Sequence, residues 1–145
     1  MANLESINVN LNGGAPKYSV PSATILIEGV DGDTQRHSNH GGIDRAVLLY
    51  SSERIEELQQ EKHPITPGSA GENLTIRGLD WESLREDDIL QIGDVRLQLT
   101  FMAVPCSGIR ESFFDYAWSS CNDRWCAKVL SEGQVNVGDS VEKKN

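Results

Sequence analysis

The sequence predicts a mainly β fold with a few helices, in which about seven short strands form a closed or nearly closed sheet. Three observations lead to this prediction. Apolar and polar residues alternate over short stretches along the whole chain, Gly, Asp and Asn bound these stretches, and an apolar-Gly-Asp turn occurs twice. A sheet of many short strands avoids exposed edges most fully when it closes on itself.

The predicted strands follow the alternating stretches in chain order. They cover residues 7–11, 24–27, 47–50, 74–76, 89–92, 95–99 and 134–137. Residues 92–95 (IGDV) join two of these strands as a tight hairpin, and a similar turn recurs at residues 137–139 (VGD). The sequence therefore predicts at least one antiparallel strand pair.

The first predicted helix covers residues 53–62. Ser51 or Ser52 can cap its N-terminus, and Lys62 lies at the C-terminal end, where the helix dipole favours a cation. Pro64 follows and cannot continue the helix. The pattern therefore predicts a short helix with both ends defined.

A second helix is predicted over about residues 108–118. Ile109, Phe113 and Tyr116 recur there at helical spacing and give one apolar face. No repeat, low-complexity tract or linker interrupts the chain. Residues 1–145 are therefore expected to form a single domain.

Composition excludes several classes of protein. The formal net charge is −9, and no basic stripe is visible, so we expect no nucleic-acid binding. No basic leader precedes an apolar run, and no stretch approaches the roughly 20 apolar residues of a membrane span, so a soluble cytoplasmic protein without membrane contact is expected. Three cysteines without Cys-x-x-Cys spacing argue against a disulfide framework and against a four-cysteine cluster.

Three short runs combine glycine or proline with polar groups, as ligand-binding loops do. They are residues 40–45 (HGGIDR), 67–73 (PGSAGEN) and 105–106 (PC). Glycine lets a backbone adopt positive φ or approach a ligand closely. The runs offer an imidazole, a guanidinium, backbone amides and one thiol. Together they predict a pocket for an anionic ligand with an affinity for sulfur.

Cys106 is the candidate reactive residue. A thiol with a pKa near 8.5 is only about 3% thiolate at pH 7, so a cysteine that serves as a ligand needs stabilisation of its anion. A helix that begins near Ser107 would supply it through its N-terminal amides. The alternative is a small buried apolar residue, as most free cysteines are. Cys126, among apolar neighbours, is assigned to packing and Cys121, in a polar run, to an ordinary loop.

An anion would be bound by a local cluster of cations and amides. The candidate cofactor-binding residues are Lys17, Arg36, His40, Gly41, Gly42, Arg45, Gly71 and Asn73. Arg45 could clasp a phosphate with its planar guanidinium or pair with Asp44 to lock the turn. Asn73 could hydrogen-bond the ligand or only tie its loop. Lys17 could reach a phosphate or remain a solvated surface lysine.

The chain resembles the MOSC domain family, which is named for the C-terminal domain of molybdenum-cofactor sulfurase. Besides the three runs, the resemblance rests on residues 13–17 (GGAPK), 29–33 (GVDGD), 46–51 (AVLLYS), 78–81 (GLDW), 92–94 (IGD), 127–130 (AKVL) and 137–139 (VGD). Each motif alone is weak, but their order and number make the match specific.

The resemblance implies a MOSC-type β-barrel and a molybdenum cofactor (molybdopterin), with Cys106 as catalytic residue and metal ligand. A soft thiolate suits molybdenum, and glycine amides with arginine suit the phosphate of the pterin. The implied activity is reduction of N-hydroxylated compounds with a separate flavin or iron–sulfur reductase as electron donor. Alternatives are a non-catalytic sulfur carrier or cofactor-binding module, with a sulfur donor or acceptor enzyme as partner, and a barrel that has lost its site.

Overall fold

The chain forms short strands and one α-helix in the computed structural model, which describes residues 1–34 and 42–144. The strands are β1 (Ala2–Val9), β2 (Tyr18–Val20), β3 (Ser22–Leu26), β4 (Gly29–Val30), β5 (Val47–Ser51), β6 (Leu74–Arg77), β7 (Ile89–Ile92), β8 (Val95–Met102), β9 (Trp125–Ser131), β10 (Gly133–Asn136) and β11 (Ser140–Lys144). Each of the predicted strands overlaps one of these, and β2, β4, β9 and β11 are additional.

Seven strands close into a barrel in the order β1, β11, β7, β8, β9, β5, β6 and back to β1. All neighbours are antiparallel except β5 and β6, which are parallel. Closure occurs at β1, where Ala2 lies opposite Val141 of β11. β2 pairs with β1, and β10, β3 and β4 form a separate small sheet. The predicted closed sheet and the hairpin that pairs Ile92 with Val95 are confirmed.

The barrel interior is filled by side chains that alternate along the strands. In β8, Val95, Leu97 and Leu99 are buried while Arg96 is exposed. Other interior side chains are Leu4, Ile7, Leu49, Leu74, Ile76, Leu90 and Ile92. Burial of each such side chain stabilises the fold by roughly 1.5–3 kcal/mol. The period-two pattern in the sequence therefore marks the inside of the barrel.

The first predicted helix is present as α1 (Ser52–Gln60). Its N-cap is Ser51, whose Oγ accepts a hydrogen bond from the backbone N–H of Arg54 at 3.1 Å. The expectation that Lys62 would lie in the last turn is wrong. The helix ends at Gln60, and Lys62 lies beyond it with φ of 74°. This left-handed conformation reverses the chain direction before Pro64.

The prediction of a second α-helix is wrong. Residues 107–120 form two short 3₁₀ turns, Ser107–Ser112 and Ala117–Ser120, because Phe113 is extended and Asp115 has φ of 50°. Ile109 and Phe113 are buried as predicted, but Tyr116 is 80% exposed.

None of the helices in the described ranges is long and apolar enough to cross a membrane.

A second apolar cluster packs outside the barrel, and we call it the outer cluster. It consists of Tyr50, Ile55, Leu58, Ile65, Ala70, Ile109, Phe113 and Cys121. These residues come from β5, α1, the loop that precedes β6 and the 3₁₀ segment. The outer cluster therefore holds the non-strand segments against the barrel wall.

Candidate functional site

A cavity of about 610 Å³ lies beside the loop that follows β8, and we call it the cysteine cavity. Five predicted site residues line it: Lys17, Arg45, Gly71, Asn73 and Cys106. They come from four separate stretches of the chain, which the barrel brings together.

Of the predicted site residues that the structure describes, one is not found in that lining. Gly42 is exposed and is not among the cavity-lining residues that the structure describes; its carbonyl accepts the backbone N–H of Arg45 at 3.0 Å. Arg36, His40 and Gly41 lie outside the described residues. The contribution of these three to a ligand site stays a prediction.

The glycine loop, residues 67–73, requires glycine at two positions. Gly68 has φ of 89°, and a Cβ there would lie 2.5 Å from the carbonyl oxygen of Lys17. Gly71 has φ of 85°, and a Cβ there would lie 3.9 Å from Nη1 of Arg124. The expected positive φ is therefore present in this loop, and the close approach at Gly68 is to the backbone of Lys17.

Glu72 ties the glycine loop to β6. Its side chain is fully buried, and Oε2 accepts hydrogen bonds from the N–H of Gly68 at 3.0 Å and from the hydroxyl of Thr75 at 2.8 Å. Oε1 has no hydrogen-bond partner. Burial raises the pKa of Glu72, and the two hydrogen bonds and Arg124 only partly oppose this. Protonation of Glu72 is therefore easier in the folded protein than in the unfolded chain.

Lys17 and Asn73 share a polar network beneath the cysteine cavity. Nζ of Lys17 donates to both carboxylate oxygens of Asp33, at 2.8 and 2.9 Å, and its side chain is only 9% exposed. Asn73 donates to Oδ2 of Asp33 at 3.0 Å and to the carbonyl of Asn8 at 3.3 Å. Its Oδ1 accepts the N–H of Leu48 at 3.0 Å. Lys17 is thus no solvated surface lysine, and the bonds of Asn73 match the alternative in which it ties its loop.

Arg45 ends the 3₁₀ turn Ile43–Arg45, directly before β5. Its side chain is half-buried, and the guanidinium carbon lies 5.0 Å from the centre of the Phe101 ring. Such a contact holds the cation over the ring face. The stacked guanidinium forms part of the cavity wall.

Cys106 precedes the 3₁₀ turn Ser107–Ser112, at the position predicted for a helix start. Its thiol is half-buried, and a Cβ on Gly108 would lie 3.5 Å from Sγ, so the absent side chain leaves the sulfur open. Cys121 and Cys126 are buried, and burial raises the pKa of both thiols. Cys106 is therefore the accessible thiol.

The two other cysteines differ in part from their predicted places. Cys126 packs on β9 as expected, but it also lines the cysteine cavity. Cys121 lies in a loop, as expected, but it is buried in the outer cluster, with Sγ 3.7 Å from the hydroxyl of Tyr50.

Arg124 is a cavity residue that sequence reasoning missed. It directly precedes β9 and is buried, with Nη1 donating to the carbonyl of Ala70 at 2.9 Å and Nη2 to that of Val104 at 3.2 Å. It lines the cysteine cavity. No motif surrounds Arg124, so the sequence carries no signal for this position.

The architecture and the loops match a known family. The MOSC domain family matches residues 36–142. The chain belongs to the MOSC domain family. The resemblance found in the sequence is thereby confirmed.

Relatives of this MOSC domain include one bacterial and one fungal protein. The uncharacterised protein YflK of Bacillus subtilis is 28% identical over 148 residues, which cover 96% of this chain and 66% of YflK. A protein of Gibberella moniliformis named "Reductase" is 29% identical over 126 residues, which cover 78% of this chain and 22% of that protein. The chain thus spans less than two thirds of either relative.

A solved structure shows the same fold as this MOSC domain. YiiM from Geobacillus stearothermophilus superposes with a TM-score of 0.77 at 22% identity, over all of this chain and 76% of the YiiM chain. The closed barrel is therefore the fold that this MOSC domain shares with YiiM.

Proposed function

We propose that this MOSC protein binds the molybdenum cofactor, uses Cys106 as the sulfur ligand of the metal, and reduces N-hydroxylated compounds with electrons from a separate partner protein. One observation carries the proposal: Lys17, Arg45, Gly71, Asn73 and Cys106, chosen independently from the sequence, line one cavity. The similarity to a fungal protein named as a reductase supports the reaction class.

The residues present fit such a cofactor in three respects. The cavity of about 610 Å³ has the size of small-molecule and cofactor sites, about 300–1,000 Å³. Cys106 offers an accessible soft ligand. Arg45 and Arg124 bring positive charge to the wall, which suits a phosphate.

The metal would have to take further ligands from the cofactor itself. Within residues 1–34 and 42–144, no group of three or more His, Cys, Asp or Glu side chains could hold a metal ion. One protein thiolate would therefore join a metal whose remaining ligands come from the organic part of the group. Cys106 would lose its thiol proton on ligation, since the thiolate is the binding form.

The remaining residues bind and position. The Arg45 guanidinium can donate paired hydrogen bonds to a phosphate. Gly71, without a side chain, leaves space beside the wall. When bound, the cofactor supplies the redox chemistry. Reduction of an N–OH group breaks the N–O bond, takes up two electrons and two protons, and releases water. The electrons require a donor, and the sequence has no nucleotide fingerprint or cluster motif, so we assign that role to a flavin or iron–sulfur partner.

The test compares three single variants made in a host that synthesises the molybdenum cofactor. Cys106→Ser is expected to lower molybdenum per protein by at least about tenfold, because a hydroxyl is a poor ligand for a soft metal. Cys121→Ser and Cys126→Ser should retain it. Cys126→Ser is the matched control, since Cys126 lines the same cavity. Elemental analysis gives the result.

Activity then separates enzyme from carrier. Wild-type protein loaded with molybdenum should reduce an N-hydroxylated base when a reducing partner is added. Molybdenum bound through Cys106 without turnover would favour the alternative, a sulfur carrier or cofactor-binding module. Equal molybdenum in wild type and Cys106→Ser would contradict both functions.

A further inference from the structure

Arg124 is a buried cation at the boundary of the cysteine cavity. Its backbone carbonyl accepts the N–H of Ala103 at 2.7 Å, so the β8–β9 pairing holds its main chain in place. Its side chain is only 4% exposed. A long charged side chain is rarely buried to this extent without a specific partner.

The guanidinium of Arg124 joins two loops. Nη1 donates to the carbonyl of Ala70, the residue before Gly71, and Nη2 donates to that of Val104, two residues before Cys106. The fork of a guanidinium is planar and rigid, so the two bonds set the separation between its two acceptors. Arg124 thereby fixes the Cys106 loop against the glycine loop.

The charge of Arg124 meets no carboxylate. In the parts of the chain that the structure describes, no carboxylate lies within ion-pair distance of it, and Nε has no hydrogen-bond partner. Glu72 interacts with it electrostatically from beyond that distance, and Arg124 opposes the rise that burial causes in the pKa of Glu72. A buried cation without a direct ion pair is stabilised when an anion binds close to it.

The positive charge reaches the cavity wall. Cys126, Arg45 and Arg124 all line the cavity. Burial raises the pKa of the Cys126 thiol, and the positive charges of Arg45 and Arg124 oppose that rise. Gly71 presents no side chain beside Nη1 of Arg124. Lys17, in contrast, is already paired with Asp33. Arg124 is thus a cation in the wall whose hydrogen bonds, among the residues that the structure describes, go to carbonyl groups.

We propose that Arg124 is a positioning residue that sets the Cys106 loop against the glycine loop and charges the cysteine cavity, so that the cavity favours ligands with an anionic group. The identity of that ligand rests on the proposed function of the cavity, whereas the role of Arg124 does not. Independently of that ligand, Arg124 should make the electrostatic potential at the Cys106 thiol more positive, and this can be measured on the protein without cofactor.

The experiment compares two alkylating reagents that differ in charge. Iodoacetate is an anion and iodoacetamide is neutral, and each forms a carbon–sulfur bond to the thiolate and releases iodide. Both reagents react with the same thiolate. The ratio of their rates at Cys106 therefore does not depend on the exposure or the ionisation of the thiol. It is divided by the same ratio for N-acetylcysteine amide in the same buffer, and mass spectrometry confirms that Cys106 carries the label.

The normalised ratio should exceed one in wild type and fall by at least about twofold in Arg124→Met, because a unit charge in the cavity lining is removed. Arg124→Lys should keep the ratio, since it keeps the charge, while both rates change together because the fork is lost. Arg85→Gln is the matched control: Arg85 also donates to two carbonyls, but it is exposed and lies outside the cavity lining.

Two results would overturn the proposal: equal ratios in folded wild type and Arg124→Met, or a fall in Arg124→Lys as large as in Arg124→Met. If Arg124→Met does not fold, the wild-type ratio still tests whether the cavity is positively charged, and Arg124→Lys tests the role of the fork. Raising the salt concentration from 0.01 to 1 M shortens the screening length from about 30 to 3 Å, and the ratio should fall toward one. A wild-type ratio at or below one in low salt contradicts the proposal. Since no step needs molybdenum, this failure is distinct from failure of the proposed function.

Discussion

The barrel interior and the outer cluster are two apolar regions built in different ways. The interior is formed by alternate residues of paired strands, whose backbones are hydrogen-bonded to one another. The outer cluster is formed by α1, the 3₁₀ segment and loops against Tyr50 of β5, and one of its members, Ile109, also lines the cysteine cavity. The scaffold and the site therefore depend on different contacts, so they should respond differently to mutation.

The largest expected effect is the loss of a buried isoleucine from the barrel. Ile76→Ala, in β6, should lower the free energy of unfolding by about 2–5 kcal/mol, because β-sheet neighbours cannot collapse into the space. Ile109→Ala removes the same atoms from a site that is 2% exposed, but a 3₁₀ turn can shift, so the loss should be smaller. Urea unfolding measures both.

Alkylation of Cys121 sharpens this first comparison. Ile109→Ala should speed the reaction of Cys121 with iodoacetamide, because both residues belong to the outer cluster, while Ile76→Ala should leave Cys121 protected in the folded state. Equal losses of stability together with a protected Cys121 in Ile109→Ala would show that the two clusters act as one.

A smaller effect is expected for a cation of the cavity. Arg45→Ala should weaken cofactor binding by about ten- to a hundredfold, the loss of one charge-assisted contact worth roughly 1.5–3 kcal/mol, with little change in thermal stability. Arg96→Ala removes an exposed cation from the barrel surface and should change neither property. Cofactor titration and thermal melts are the measurements. An Arg45→Ala protein that melts several degrees lower yet binds normally would assign Arg45 to the scaffold.

The smallest effect, for a change of one pH unit, concerns Glu72, which connects the glycine loop to β6. Burial raises the pKa of Glu72 above the ordinary 4.5, so its protonated form contributes stability that is complete below pH 4.5 and is lost as pH rises through the folded-state pKa. Over that window, wild type should lose up to about 1.4 kcal/mol per pH unit relative to Glu72→Gln. Urea unfolding from pH 4.5 to 8 tests this. Glu111→Gln, at an exposed position, serves as control, and identical slopes in all three proteins would show that Glu72 is ionised in the fold.

Much of the barrel could be predicted because its strands have one buried and one exposed face. β8 shows this alternation clearly. β9 begins with three successive buried residues, Trp125, Cys126 and Ala127, so it has no period of two there. β11 buries only Val141 among polar neighbours, and β4 has two residues. These strands are defined by their partners in the sheet, which a local pattern does not contain.

The cavity residues also fall into two groups. Some lie in a recognisable local sequence run, and others depend on contacts between distant segments. Gly68, Gly71 and Cys106 were predictable because each lies in a short run with its own glycine or proline. The pairing of Lys17 with Asp33 depends on contacts between separate segments, as does the fork of Arg124. The failure of the second helix has a local cause, since the apolar spacing of Ile109 and Phe113 also suits a 3₁₀ turn followed by extended chain.

Closure of the barrel by β11 has a consequence for how the chain reaches its fold. β11 pairs with Ala2 and Asn3 of β1 and with β7, so the start of β1 and one side of β7 stay unpaired until β11 has joined them. Pairing between distant parts of a chain slows folding, since loop-closure entropy is lost before the contact forms. An unpaired edge can meanwhile recruit a strand from another molecule. The period before β11 docks is therefore when a nascent or refolding chain is most exposed to aggregation, and a chaperone that covers β1 or β7 would protect it most effectively at that stage.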